Sequence, residues 1–420
     1  METDMMRIKF QHEKYGKVQG IMSLVNEETL KQVHKRQPRD KAKGIDDEDK
    51  TSYENNLEEN LANLVNRMKA FQYKPLPVRR AYIPKADGKR RPLGIPAYED
   101  RLVQGVMADI LNEIYEPMFL NCSYGFRPRR NCHDAVRYIN NAVMFGNINW
   151  VVEADIKGFF DHVNHDKLME MLAYDIQDKN FLRYVKRFLI AGVMENGIVL
   201  ESEEGTPQGG LISPILANIY LHYALDTWVI YVVKPLCKGT MYYARYADDF
   251  VLLFQHEDEA KAFLQSLRNR LAKFSLQLAE DKTRILPFGR RAGRKVDFDF
   301  LGFTFYNTTT RKGTYRVGVR TSTKKLSAKM KAIKKWIREC MHDNIPAILE
   351  MMNLKYRGHC QYYGVNGNFR SLVKFKNYAM YILWKTMRRR SQKDKFPFKL
   401  IELLWDKFVF KPKILVQIWK

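Results

Sequence analysis

The chain has 420 residues, 45% of them hydrophobic and 13% aromatic, enough for two or three domains with sizeable cores, which excludes a disordered chain. Its formal net charge of +24 points to a polyanionic partner. No apolar run reaches about 18 residues, and the polar start Met1-Glu2-Thr3-Asp4 is no signal peptide, so an intracellular protein with no membrane partner is expected.

The first 70 residues or so are charged and helix-prone, with a break at Gly44-Ile45-Asp46. Leu57, Leu61, Leu64, Val65 and Met68 recur at helical spacing and predict a packing helix. Over 75–96 the character changes. Asp87-Gly88 between two strand-like arms predicts a hairpin that presents Arg79, Arg80, Lys85, Lys89, Arg90 and Arg91. Such a ribbon suits phosphates, although a plain basic surface hairpin has the same pattern. A helix opening near Asp100 follows, and then Ser123-Tyr124-Gly125-Phe126-Arg127-Pro128, a loop able to lie along a nucleic-acid strand.

Trp150-Val151-Val152-Glu153-Ala154-Asp155-Ile156 reads as a strand, with Asp155 where it gives way to a turn at Gly158. Helices are expected over 166–172 and 181–190. Gly205-Thr206-Pro207-Gln208-Gly209-Gly210 then lets backbone approach a ligand closely and enters an apolar helix over 215–225. Next comes Tyr246-Ala247-Asp248-Asp249-Phe250, flanked by apolar runs, which reads as strand, tight turn, strand with the aspartates at the tip. An ordinary Asp-rich turn would look the same. The third carboxylate, Asp155, changes the balance, because two such elements side by side bring Asp155, Asp248 and Asp249 together. Oxygen-only ligands of that kind suit Mg²⁺, and paired ions support nucleotidyl transfer.

Leu276-Gln277-Leu278-Ala279 predicts a strand leading to a loop that holds Lys282, and 298–305 predicts one alternating aromatic strand arm. From Lys324 onward the pattern is helical and basic, with 23 Lys and Arg against 6 Asp and Glu. Aromatic and cationic groups interleave at Arg357, Tyr362 and Tyr363 and again near Arg388, Arg389 and Arg390, a mix that suits RNA or DNA. A helical core with a solvated basic face is the competing reading. Five cysteines with no C-x-x-C pair point to a reducing compartment, and Cys340, His342, His359 and Cys360 make only a weak zinc pattern.

Taken in order, Asp155 with Phe160, Thr206-Pro207-Gln208-Gly209-Gly210, Tyr246-Ala247-Asp248-Asp249 and Phe300-Leu301-Gly302-Phe303 resemble the reverse transcriptases encoded by bacterial group II introns. The likeness covers nearly the whole chain. It implies an α+β right-hand polymerase, with fingers and palm built on antiparallel sheet and followed by an α-helical thumb/maturase domain. The expected divisions are an N-terminal extension over 1–75, fingers and palm over 76–320, and thumb/maturase over 321–420, with no C-terminal HNH endonuclease. Asp155, Ile156, Asp248 and Asp249 would hold two Mg²⁺ ions, with Mn²⁺ as an alternative, and the three aspartates would be catalytic. Lys85, Arg91, Phe160, Gln208 and Lys282 would meet the dNTP, with Phe160 as the gate against a 2′-hydroxyl. Phe300, Leu301 and Gly302 would grip the primer end. Arg357, Tyr362, Tyr363, Arg388, Arg389 and Arg390 would bind RNA.

The expected activity is RNA-directed DNA polymerisation in a bacterial cytoplasm, with dNTPs, an RNA template, a group II intron RNA and a DNA primer or target as partners. Assistance to splicing and intron mobility goes with it. Two other readings stay open: a splicing factor that only binds RNA, and a family member recruited to defence or repair.

Overall fold

The computed structural model describes residues 16–84, 90–195, 197–200, 204–206, 209–293, 295–390 and 396–419. Helix α1 (Glu27–Arg36) starts at a reciprocal capping box between Asn26 and Thr29. Helix α2 (Leu57–Lys69) buries Leu61, Leu64, Val65 and Met68, the face expected from their spacing. Strands β1 (Val78–Pro84) and β2 (Arg90–Ile95) pair antiparallel from Arg79↔Ile95 to Pro84↔Arg90. The turn expected at Asp87-Gly88, with Lys85 and Lys89, lies outside the described residues.

Helix α3 (Tyr98–Tyr115) runs through the largest core, which also takes Leu30 and Val33 of α1 and the buried face of α2. Gly105 permits the close crossing, since a Cβ there would stand 2.5 Å from a Val33 methyl. Helix α4 (Cys132–Phe145) leads to β3 (Trp150–Asp155), and α5 (His165–Asp175) and α6 (Lys179–Leu189) follow. Strands β4 (Val193–Glu195) and β5 (Ile198–Leu200) complete a sheet of order β2-β1-β4-β5. It is not wholly antiparallel, as expected for the fingers, because β1 and β4 run parallel at Val78↔Val193.

Helix α7 (Ser213–Leu221) passes directly into a π-helical turn, His222–Asp226. The second sheet joins β6 (Met241–Tyr246), β7 (Asp249–Phe254), β3 and, beyond helix α8 (Glu257–Ala272), β8 (Arg284–Pro287) in the order β6-β7-β3-β8, all antiparallel. Alternation along it serves two cores. Val152, Ala154, Phe250, Leu252 and Phe254 face the first, and Val151, Val251 and Leu253 face a second. This double burial accounts for the unbroken apolar run after the aspartates.

The 298–305 stretch is not the single arm its alternation predicts. It forms β9 (Asp297–Phe300) and the start of β10 (Phe303–Thr309), folded back at Leu301 and Gly302 so that Phe300 pairs with Phe303. Both turn residues have positive φ, 52° and 76°, as a two-residue hairpin turn with the strands' twist requires. Strand β11 (Tyr315–Thr321) completes this third sheet.

Helices α9 (Thr323–Glu339), α10 (Ile345–Tyr363), α11 (Phe369–Met387) and α12 (Phe398–Phe408) enclose a third core of their own. The segment after α12 returns to the end of α10, where the Leu415 and Val416 amides donate to the Gly364 carbonyl. Ile418 is buried in the second core, its amide donating to the Asn366 side chain at 2.7 Å, and Arg137 of α4 donates to the Gln417 carbonyl at 3.1 Å.

Candidate active site

Strand pairing places the acidic residues. The β3–β7 register sets Asp155 opposite Asp249, and Asp248 stands in the tight turn between β6 and β7. Beyond Asp155 the chain bridges to Leu278: the Lys157 amide donates to the Gln277 carbonyl, and the Ala279 amide to the Asp155 carbonyl. Ile156 and Leu278 are therefore a non-hydrogen-bonded pair, which directs the Ile156 carbonyl away from Leu278 and toward the side of the Asp248 turn. The Ile156 side chain is buried.

Partial desolvation raises both tip carboxylates. Asp248 is raised by burial and by Asp155, with Arg91 and Lys282 pulling the other way. Asp249 opens to solvent, yet protein around it, and then the charges of Asp248 and Asp155, push its carboxyl up to about 6. Lys282, in the short helical turn Glu280–Lys282, bonds Asp155 at 2.5 Å and is itself raised by that bond. This leaves a surplus of negative charge at one edge of the sheet.

Around the surplus runs a trough of about 470 Å³. Asp155, Asp249 and Lys282 line one side, Phe300, Leu301 and Gly302 another, with Lys324 and Lys325 at the start of α9. Glu153, two residues before Asp155 on the same face, ties the sides together. Its carboxylate pairs with Arg284 and accepts the Asp299 amide at 2.8 Å, and Asp299 in turn accepts from Ser322 at 3.1 Å. Burial raises the Glu153 carboxyl, against the pull of Arg284. The sequence patterns give Lys325 only as part of a basic helix and assign no role to Glu153, Arg284 or Asp299. An acidic residue at period two from Asp155 inside an apolar strand was the available signal.

Phe160 lies beyond Asp155 in the turn Phe159–Asp161, half-buried, its carbonyl accepting the Thr206 amide at 2.8 Å. The glycine loop is folded against that turn and against β2: a Cβ on Gly205 would meet the Phe160 carbonyl oxygen at 2.9 Å, and one on Gly209 the Gly94 carbonyl oxygen at 2.3 Å. Gln208 lies outside the described residues, as does Lys85. Arg91 is exposed on β2, close enough to act on Asp248.

The remaining basic and aromatic residues divide. Arg357, Arg388 and Arg389 are exposed on the helical region. Arg390 instead donates to the carbonyls of Met341 and Asp343. Tyr362 and Tyr363, at the end of α10, lie against the Leu301–Gly302 turn, next to the trough. His359 sits among aromatic rings, 4.4 Å between ring centres from Phe375, and burial pushes its pKa down to about 4.

A family model described as reverse transcriptase (RNA-dependent DNA polymerase) matches residues 83–305, more than half of the chain. The chain belongs to the reverse transcriptase family. It is an RNA-directed DNA polymerase similar to group II intron-encoded proteins. Group II intron-encoded protein LtrA of Lactococcus lactis subsp. cremoris is 29% identical over 79% of this chain and 67% of its own. Protein YkfC of Escherichia coli is 35% identical over 65% of this chain and 78% of its own. A putative COX1/OXI3 intron 1 protein of Saccharomyces cerevisiae is 30% identical over 60% of this chain and 35% of its own.

Reverse transcriptases act on nucleic acids and use divalent metal ions. The donor set suits such an ion: oxygen ligands only, and tip carboxyls held above their ordinary range by burial and then by neighbouring carboxylates. Among the described residues no three His, Cys, Asp or Glu side chains are grouped so as to hold a metal ion by themselves. An open site fits Mg²⁺ chemistry, which takes one or two carboxylates and fills its shell with water and substrate phosphate. No helix among the described residues is long and apolar enough to cross a membrane.

Proposed function

We propose that this reverse transcriptase extends a primer 3′-hydroxyl with dNTPs at the Asp155–Asp248–Asp249 edge, with RNA as template. The observation that carries the reading is the register of Asp155 against Asp249 with Asp248 at the adjoining turn, beside the trough. Asp155, Asp248, Asp249 and the Ile156 carbonyl would hold two Mg²⁺ ions, or Mn²⁺ in their place. Bound there, such ions would acidify the attacking hydroxyl and neutralise charge gathering on the phosphoryl oxygens. Arg91 grips the triphosphate from the fingers side, and Lys282, beside Asp155, donates to the departing pyrophosphate. Lys85 and Gln208 belong to the same dNTP set. Phe160 closes the space beside the sugar against a 2′-hydroxyl, and Phe300, Leu301 and Gly302 bear on the primer end from across the trough.

Residues 1–75 serve as an N-terminal extension, 76–320 as fingers and palm, and 321–420 as a thumb/maturase region. That last region would bind intron RNA through Arg357, Arg388 and Arg389, with Tyr362, Tyr363 and Arg390 supporting the surface, and assist splicing and mobility of the intron. Its uneven positive charge and the intron-encoded proteins among its relatives support this reading. The test is primer extension on an RNA template with Mg²⁺, wild type beside Asp248→Asn. Extension by the wild type alone is expected. Equal extension by both would remove Asp248 from the site.

A further inference from the structure

Behind the acidic turn lies a buried ion pair that touches neither the trough nor any residue proposed above to meet substrate. Arg245, the last-but-one residue of β6, and Asp226, in the π-helical turn after α7, are both 0% exposed. All five guanidinium N–H groups are used. Nε and Nη2 donate to the two Asp226 oxygens at 2.7 and 2.5 Å, and Nη2 also to Ser123 Oγ at 2.8 Å. Nη1 donates to the Asn218 side-chain oxygen and to the Ala247 carbonyl, each at 3.0 Å. Asp226 takes a further bond from the Tyr243 hydroxyl at 2.7 Å.

The Ala247 carbonyl belongs to the turn that carries Asp248. Ala247 has φ +56°, a left-handed conformation that a residue with a Cβ holds only where its surroundings impose it. Two contacts bear on it and a third ties them together. Arg245 binds its carbonyl. Gly125 lies so close that a Cβ there would stand 2.4 Å from the Ala247 nitrogen. Asn218, itself bound to Arg245, donates to the Gly125 carbonyl at 2.8 Å, closing a ring from turn to loop to helix and back. The 123–125 loop is also hydrogen-bonded to β6, since the Tyr124 amide donates to the Arg245 carbonyl.

We infer that Arg245, anchored by Asp226 and Asn218, is a positioning residue that sets the Asp248 turn in the geometry in which its carboxylate meets a divalent cation. The planar fork matters as much as the charge, because two parallel bonds fix it to Asp226 while another edge holds Ala247. An alkylammonium there can satisfy the charge but not the geometry. The inference rests on the reading that Asp248 holds a cation.

The test uses the full chain and follows primer extension as Mg²⁺ is titrated, with Mn²⁺ binding measured separately by the electron paramagnetic resonance of the free ion, without dNTP. In Arg245→Lys the Mg²⁺ midpoint and the Mn²⁺ dissociation constant should both rise about tenfold or more, as expected when a reacting group moves by an ångström or less. KM for primer–template should stay within about twofold. Asn218→Ala, which keeps the ion pair, should shift both in the same direction by less. A midpoint does not depend on the fraction of molecules correctly folded, so a lower amplitude with wild-type midpoints would mean a merely structural role and overturn the proposal. Should Arg245→Lys fail to fold, unchanged midpoints in Asn218→Ala would overturn it alone. Wild-type extension and Mn²⁺ binding in Asp248→Asn would instead sink the reading of the site.

Discussion

The Tyr362 hydroxyl donates to the Leu301 carbonyl at 2.9 Å, joining the end of α10 to the turn between β9 and β10. Its ring stacks on Phe303 at 5.7 Å and 11°, and its own carbonyl meets His133 Nε2 at 2.7 Å. Three regions distant in sequence thus converge behind the turn that lines the trough. Tyr362→Phe keeps the stack and loses the hydrogen bond, so about 1 kcal/mol of stability should go with it. KM for primer–template should rise, with a smaller loss of affinity for structured RNA, because Tyr362 only supports that surface. Loss of RNA affinity with an unchanged primer KM would place Tyr362 on the RNA surface instead.

The acidic edge makes a prediction about pH. The Asp249 carboxyl is raised in the folded chain from an ordinary 3.8 to about 6, so the folded state binds its proton more tightly than the unfolded one. Its charge therefore opposes folding fully above about 6 and ceases to do so below about 4. Asp249→Asn should stabilise the metal-free protein by about 1 kcal/mol at pH 8, a figure kept small because solvent screens an open carboxylate. The gain should disappear as the pH falls from 6 to 4. Thermal melts in a chelator would reveal it, and a variant less stable than wild type at pH 8 would refute it.

Cation affinity follows from the same group. With Asp249 as the proposed metal ligand, the proton should compete with the cation for it below about pH 6. The Mg²⁺ midpoint for extension should therefore climb as the pH is lowered through that value. A midpoint flat between pH 8 and 5.5 would separate Asp249 from the metal.

Phe160 lies five residues beyond Asp155, in a turn fixed to the glycine loop by the Thr206 amide. Phe160→Ala should let ribonucleotides in, with discrimination falling at least about tenfold in kcat/KM. Unchanged sugar selectivity would move the gate to another side chain.

Arginines 388–390 are expected to separate. Arg388→Ala with Arg389→Ala should weaken RNA binding and reduce its salt slope by up to about 2. Arg390→Ala should act through folding, because its guanidinium satisfies the carbonyls that follow α9. A lower melting temperature with an unchanged salt slope is the expected result.

The legible parts of this fold were those where short-range pattern and tertiary demand agree. The Asp248 hairpin, the Asp155 strand and the α2 face all announce themselves by period and flanking residues. The β9–β10 turn did not, because Leu301 is no turn former and only the paired strands hold it at positive φ. Asp226 was also hidden, one residue past a run read as an apolar helix. The signal was present: Asn218, His222 and Asp226 recur every four residues as a buried polar stripe on an otherwise apolar helix. Such a stripe needs partners: Asn218 and Asp226 both find Arg245, and Asn218 also reaches the Gly125 carbonyl. The irregular π turn, which one-face periodicity cannot show, carries Asp226 at its last residue.

The segment after α12 has a consequence for synthesis. Arg137 reaches Gln417 across 280 residues of sequence, and Ile418 fills a place in a core otherwise built largely from residues 124–365. Loop closure over such a span adds only logarithmically to the entropic cost, so the contact is affordable once both ends exist. On a ribosome they do not exist together until translation has passed residue 418. The second core therefore keeps that seat unfilled until residue 418 has been made, and seating of the helical region comes late in folding.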